Sequence, residues 1–109
     1  QKPAVFTLHD MWAFTGHCAY SYDCDRWKSG CGHCPYPEVY PPVRRDSTAW
    51  EWRLKQKMYD RANLTIVTPS RWLSDQAKQS MLKSFAIHYI PNGIDTTVYQ
   101  PLDRIDCRS

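Results

Sequence analysis

Four cysteines, Cys18, Cys24, Cys31 and Cys34, lie close enough in the chain to share one site. Their spacing is Cys18-x5-Cys24-x6-Cys31-x2-Cys34. Four thiolates can bind zinc tetrahedrally, and a structural zinc site fills every position with a protein ligand. The Cys31-Gly-His-Cys34 piece has the two-residue spacing of a zinc knuckle, with Gly32 letting the backbone turn. The first half is wider than usual, and His17 or His33 could replace one cysteine. Two disulfides, with three possible pairings, are the competing reading. A redox-active Cys-x-x-Cys is a third, but such a motif opens a helix, and here Pro35 and Pro37 follow. The fifth cysteine, Cys107, has no partner in the sequence and reads as a plain thiol.

A second set of reactive side chains sits where apolar runs stop. His9 and Asp10 follow the β-rich run at residues 4–8. His9 could cap the strand end or bond Asp10, or it could face a ligand. Ser70 and Arg71 follow the run at residues 64–68, after Pro69. Ser70 is a good N-cap, and Arg71 and Trp72 then lie in the first turn of a helix, whose N-terminus favours anions. Trp72 itself reads as core. Asn63-Leu-Thr65 matches the glycosylation sequon but runs into a strand, so it carries no weight.

The elements that position these residues are legible from period and punctuation. Residues 4–8, 64–68 and 86–90 read as buried strands. Thr48-x-x-Glu51 fits a capping box and opens a helix in which Trp50, Leu54, Met58 and Arg61-Ala62 share a face. Asn63 closes it. Leu73, Ala77 and Met81 mark the buried face of the next helix, and Pro91-Asn92-Gly93 makes a turn. Between Met11 and Arg45 no period persists, and glycines and prolines interrupt repeatedly. A loop this long needs a function or a staple, and zinc would supply the order that packing does not. The predicted fold class is α/β: a partial Rossmann-like parallel sheet with a zinc-stapled cysteine-rich loop. In such sheets ligands bind beyond the C-terminal strand ends. There stand His9, Asp10, Ser70, Arg71 and Gly93.

Composition sets the limits. With 109 residues, 42% hydrophobic and 23% charged, the chain makes one domain and not a disordered tail. Its net charge of +3 is too small and scattered to argue nucleic-acid binding. Arg44, Arg45, Arg53, Lys55 and Lys57 suit a solvated face, with docking to anionic lipid as the alternative. No stretch has the roughly 20 apolar residues that span a bilayer. The start at Gln1 and the end at Ser109 read as cuts inside a longer protein.

Four segments together resemble a known family: Thr7-Leu-His-Asp-Met-Trp-Ala-Phe-Thr-Gly16, Cys24-Asp-Arg-Trp-Lys-Ser-Gly-Cys-Gly-His-Cys-Pro35, Asn63-Leu-Thr-Ile-Val-Thr-Pro-Ser-Arg-Trp-Leu73 and Ile90-Pro-Asn-Gly-Ile-Asp-Thr-Thr-Val-Tyr-Gln-Pro101. The chain is similar to the N-terminal acceptor domain of retaining glycosyltransferases of family 4, which have the GT-B fold. It is closest to the colanic-acid type branch, whose members carry the same cysteine-rich loop.

The resemblance implies a hexosyltransferase of surface polysaccharide biosynthesis. It would move a sugar from a nucleotide-sugar to a saccharide or lipid-linked saccharide, in the cytoplasm and peripheral to the inner membrane, with no nucleic-acid partner. It implies that His9 is the catalytic histidine of the interdomain cleft, touching the donor sugar region. Asp10, Ser70 and Arg71 are then the candidate substrate-binding residues. Gly93 and Asp95 match the linker and would act as a hinge. Residues 1–95 would form part of the acceptor domain, with the cysteine-rich loop at 16–36. Residues 96–109 would lead toward a donor-binding domain outside this chain. The upstream Gly-rich loop, the residues holding the diphosphate and the paired-glutamate motif are also outside it. These residues alone are therefore expected to be inactive and marginal in stability. The alternative function is a non-catalytic, zinc-stapled binding module, in which Tyr20, Tyr22, Trp27 and Tyr36 would stack on bases or sugars.

Overall fold

A computed structural model describes residues 2–108. The end points of the expected segments 1–95 and 96–109, Gln1 and Ser109, lie outside the described residues. Three parallel strands form one sheet in the order β1-β2-β3. They are β1 (Ala4–Thr7), β2 (Leu64–Thr68) and β3 (Ala86–Tyr89). Helix α1 (Thr48–Tyr59) lies between β1 and β2, and α2 (Arg71–Lys78) between β2 and β3. The α/β class and parallel sheet follow the expectation from sequence.

The register pairs Phe6 with Ile66 and Ile66 with Ile87. Alternation then puts these three side chains on one face, with Leu64 and Thr68. Ile66 is wholly buried there, and Leu73 and Ala77 of α2 cover it with Leu82. The opposite face, with Val5, Thr65, Val67 and His88, is only partly covered, and Val5 is 70% exposed. The expectation of buried strands therefore holds for β2 on this face and fails for the two edge strands, β1 and β3. An edge strand has a neighbour on one side only.

Helix α2 begins as its sequence predicts. The Ser70 Oγ accepts the Leu73 amide at 3.2 Å and satisfies one of the free N-terminal donors. Helix α1 begins differently. Its N-cap is Ser47, whose Oγ donates to the Glu51 carboxylate at 2.6 Å. Asp46 accepts both the Thr48 amide at 3.0 Å and the Thr48 hydroxyl at 2.6 Å. Thr48 is thus the first helical residue, and it is buried. These bonds and one from the Cys34 amide hold the Asp46 carboxyl below its usual pKa.

The buried face of α1 is also not the expected one. Trp50 and Met58 are 64% and 63% exposed, and Leu54 is exposed too. Trp52 is buried instead, with Lys55 and Tyr59 half-buried. Each sends a polar tip to a backbone carbonyl of the loop. Trp52 Nε1 donates to the Trp27 carbonyl at 2.9 Å. Lys55 Nζ donates to Trp12 and Thr15 carbonyls at 2.7 and 3.1 Å, and Tyr59 Oη to Ala13 at 2.8 Å. Burial lowers the Lys55 pKa. Its ammonium also lies 3.6 Å from the centroid of the Trp12 ring, so Lys55 does not join a solvated basic face.

The segment between β1 and α1 joins the same core as the sheet and α2. Met11, Ala13, Phe14, Thr15 and Trp27 are buried, and Phe14 and Trp27 meet with ring centroids 5.3 Å apart. Two short 3-10 turns, Trp12–Phe14 and Arg26–Lys28, carry these side chains inward. Packing against α1 and the sheet thus gives this segment order that the sequence reading left to zinc. Gly16 shows how closely. A Cβ there would lie 2.6 Å from the Thr48 carbonyl oxygen and 2.8 Å from Cys31 Cβ. Gly16→Ala is expected to destabilise the full-length protein by about 1–3 kcal/mol, the usual range for overpacking. A denaturant midpoint equal to that of the wild type would show that loop and α1 are not in contact.

Candidate functional site

The parallel sheet brings the C-terminal ends of its strands to one edge. His9 and Asp10 follow β1, Ser70 and Arg71 follow β2, and Gly93 follows β3. Two backbone bonds extend the ladder to this edge, Leu8 N to the Val67 carbonyl at 2.8 Å and Ile90 N to the Thr68 carbonyl at 3.0 Å. The edge is fixed by topology, and it is where a ligand of a parallel α/β sheet binds.

The residues at this edge differ in what remains free. His9 is exposed, and its ring bonds none of the described residues. It is available to a ligand. Asp10 accepts the Trp12 amide at 2.8 Å and thereby sets the turn after β1. Ser70 has its hydroxyl engaged as the α2 cap. Arg71 lies 5.4 Å from the Tyr89 ring centroid and is exposed, so its guanidinium keeps its hydrogen-bond donors. Arg71 keeps its whole guanidinium open, and Asp10 keeps its second carboxylate oxygen. Trp72, read from sequence as core, is 47% exposed, because the first turn of α2 turns its indole away from Leu73.

At the proposed hinge, Gly93 has open space around the position a Cβ would take. Asp95 accepts the Thr97 amide at 2.9 Å and the Thr97 hydroxyl at 2.6 Å. These bonds lower its pKa and stabilise a turn, so Asp95 shapes the segment after β3 locally.

The four cysteines converge. Cys18, Cys24, Cys31 and Cys34 all line one cavity of about 30 Å³, together with His17, Trp27 and Thr48. All are free thiols, so no disulfide pairing is formed. The Gly16 amide donates to Cys31 Sγ at 3.1 Å. Desolvation pushes the Cys31 thiol up to about 11, and nearby thiols add to the rise. Cys18 is raised for the same reason. At neutral pH burial therefore keeps the Cys31 and Cys18 thiols protonated.

The donor chemistry suits zinc, but the placement falls short of it. Among the described residues no three His, Cys, Asp or Glu side chains are grouped to hold a metal ion. The zinc staple expected at Cys18, Cys24, Cys31 and Cys34 is therefore not formed here. Two partners of this cluster were not read from the sequence. Asp46 accepts the Cys34 amide at 2.7 Å, and the Glu51 carboxylate holds His17 Nδ1 at 3.3 Å. Both lie in the first turn of α1 or just before it, where acidic residues were taken only for caps.

Comparison with known proteins agrees with this geometry. Residues 1–98 match the family described as Glycosyltransferase Family 4. The chain is 37% identical over 95 residues to a protein of Escherichia coli (strain K12) that carries the name colanic acid biosynthesis glycosyl transferase WcaC. That match covers 84% of this chain but 23% of the relative, so the chain spans about a quarter of the relative's length. No solved structure matches it.

Proposed function

The chain belongs to glycosyltransferase family 4, and from that premise we propose that it is part of a retaining glycosyltransferase of surface polysaccharide synthesis. The whole protein would move a hexosyl unit from a nucleotide-sugar to a saccharide or lipid-linked saccharide. The observation that carries this reading is His9, an exposed histidine with a free ring, at the sheet edge where ligands bind. A neutral imidazole there can donate to a sugar hydroxyl, and an imidazolium can meet the negative charge that develops on a leaving diphosphate. Arg71 stands after the next strand, where its guanidinium suits an anionic group on the acceptor or donor.

The half-open sheet face, with Val5 exposed, fits a layer supplied by the rest of a longer protein. Residues 96–108, a turn and coil beyond β3 and a last 3-10 turn at Asp106–Arg108, fit a linker. No helix among the described residues is long and apolar enough to cross a membrane. Peripheral contact with the cytoplasmic membrane face remains part of the proposal. It would rest on Arg44, Arg45, Arg53 and Lys57, since Lys55 is engaged with the loop. The test is release of nucleoside diphosphate from a panel of nucleotide-sugars by the full-length protein. Release that rises when a saccharide acceptor is added supports transfer. No release from any donor sinks it.

Zinc at the cysteine cavity belongs to the same proposal. Its support is the four sulfurs around one small space, with His17 beside them and its Nδ1 held by Glu51. A carboxylate on one ring nitrogen is the usual companion of a metal-bound histidine, leaving Nε2 for the metal. If zinc binds, its role is structural: it draws the loop inward and takes no part in transfer. Because burial raises the Cys31 and Cys18 thiols, zinc uptake there should release protons and weaken as pH falls. Metal analysis of purified full-length protein is expected to find one zinc per chain, lost with EDTA and in a variant replacing Cys31 and Cys34 by serine. Metal-free protein with an unchanged near-UV spectrum would mean that packing alone holds the loop.

A further inference from the structure

Four aromatic rings that the proposed transfer step does not use form a continuous row. Tyr36 and Tyr22 have centroids 5.3 Å apart, Tyr22 and Tyr20 5.0 Å, and Tyr20 and Trp72 5.6 Å. Tyr20, Tyr22 and Trp72 are 51%, 55% and 47% exposed. Isolated exposed aromatics are ordinary, but four in contact make a patch. The row starts in the cysteine-rich loop and ends on the first turn of α2, beside Arg71. It therefore reaches the sheet edge that carries His9.

The rings are held in place at some expense. Tyr22 adopts φ 51°, a left-handed conformation that a bulky side chain rarely takes. Such conformations persist where surrounding structure enforces them, and they gather at ligand sites. Next to it, Asp23 accepts the Tyr36 hydroxyl, which raises the phenol's pKa. Tyr20 and Trp72 tilt only 35° from one another, while Tyr22 stands at 83° to Tyr20.

We propose that Tyr20, Tyr22, Tyr36 and Trp72 are the platform on which the acceptor saccharide stacks. In naming that ligand as the acceptor, the proposal rests on the transferase reading above. A pyranose has an apolar C–H face and a rim of hydroxyls. Polarised C–H bonds meet the negative face of an aromatic ring, and phenol and carboxylate groups take the hydroxyl rim. Tyr and Trp suit this because they give large rigid contact area with few torsions to freeze. A nucleic acid or an anionic lipid would call for a row of basic residues along the rings. Here Arg44, Arg45, Arg53 and Lys57 belong to α1 and the segment before it. The charged groups beside the rings in sequence are Asp23 and Arg71.

The test uses the full-length protein on an array of neutral, amino-sugar and uronic-acid oligosaccharides. Wild type should retain at least one glycan. Tyr22→Ala and Trp72→Ala should each weaken that glycan about tenfold, or 1.4 kcal/mol, while Tyr22→Phe, which keeps the ring and loses only the hydroxyl, should weaken it less than Tyr22→Ala. Should Tyr22→Ala fail to fold, Trp72→Ala decides. As a readout without truncation, the retained glycan should quench tryptophan fluorescence in the wild type and less so in Trp72→Phe. Wild-type affinity in Trp72→Ala overturns the proposal, as does retention of RNA or anionic vesicles with no glycan retained. Nucleotide release is read separately. Glycan binding without any release would sink the transferase reading and leave the platform standing.

Discussion

Replacing His9 with alanine in the full-length protein is expected to lower kcat about 10²–10³-fold, the loss seen when one preorganised transition-state donor is removed. The KM for acceptor should change little. The expectation comes from where the ring stands and what it does not do. His17 is tied to Glu51 at 3.3 Å, whereas the His9 ring makes no bond to the described residues. Removing His9 therefore disturbs no internal contact, and an effect on turnover reports on the ligand. Glutamine at this position can donate a hydrogen bond but cannot carry charge. Partial rescue by His9→Gln would assign the hydroxyl contact, and its failure would assign the imidazolium. A loss within about twofold would be less than one hydrogen bond and would remove His9 from the mechanism.

The second large effect is on stability. Phe14→Ala should destabilise the full-length protein by about 3–5 kcal/mol, the range for truncating a buried phenylalanine. Phe14 is fully buried and packs at a tilt of 55° against Trp27, which in turn takes the Trp52 hydrogen bond through its carbonyl. One truncation thus loosens the loop, its second 3-10 turn and the α1 contact together. Chemical denaturation measures it directly. A loss under about 1 kcal/mol, the size of an ordinary surface change at most, would show that metal or another element orders the loop. Phe14→Leu, which keeps much of the volume, should lose far less.

The contrast between these two sites shows what the sequence could and could not convey. The strands and α2 were legible because β-branched runs, Pro69 and the Ser70 cap act locally. The strand-end location of His9 was legible for the same reason, since topology follows from strand and helix alternation. The buried side of α1 was not. Trp50, Leu54 and Met58 have the four-residue spacing of an apolar stripe, yet the helix turns Trp52, Lys55 and Tyr59 inward. Their polar tips meet loop carbonyls that no local pattern announces. The loop core was hidden likewise: Met11, Phe14, Thr15 and Trp27 follow no period, and only tertiary packing brings them together. Asp10 and Ser70 read as reactive groups, and each also gives an oxygen to a backbone amide. An N-cap and a ligand contact draw on the same residue types, so sequence alone does not separate them.

The central claim is retaining transfer by the protein that contains this chain. The most direct measurement is proton NMR of the product formed by the full-length protein from a nucleotide-sugar and a saccharide acceptor. The account predicts a new glycosidic bond whose anomeric configuration equals that of the donor, formed in step with nucleoside diphosphate. A product of the opposite configuration, or donor left intact beside every acceptor, would contradict it.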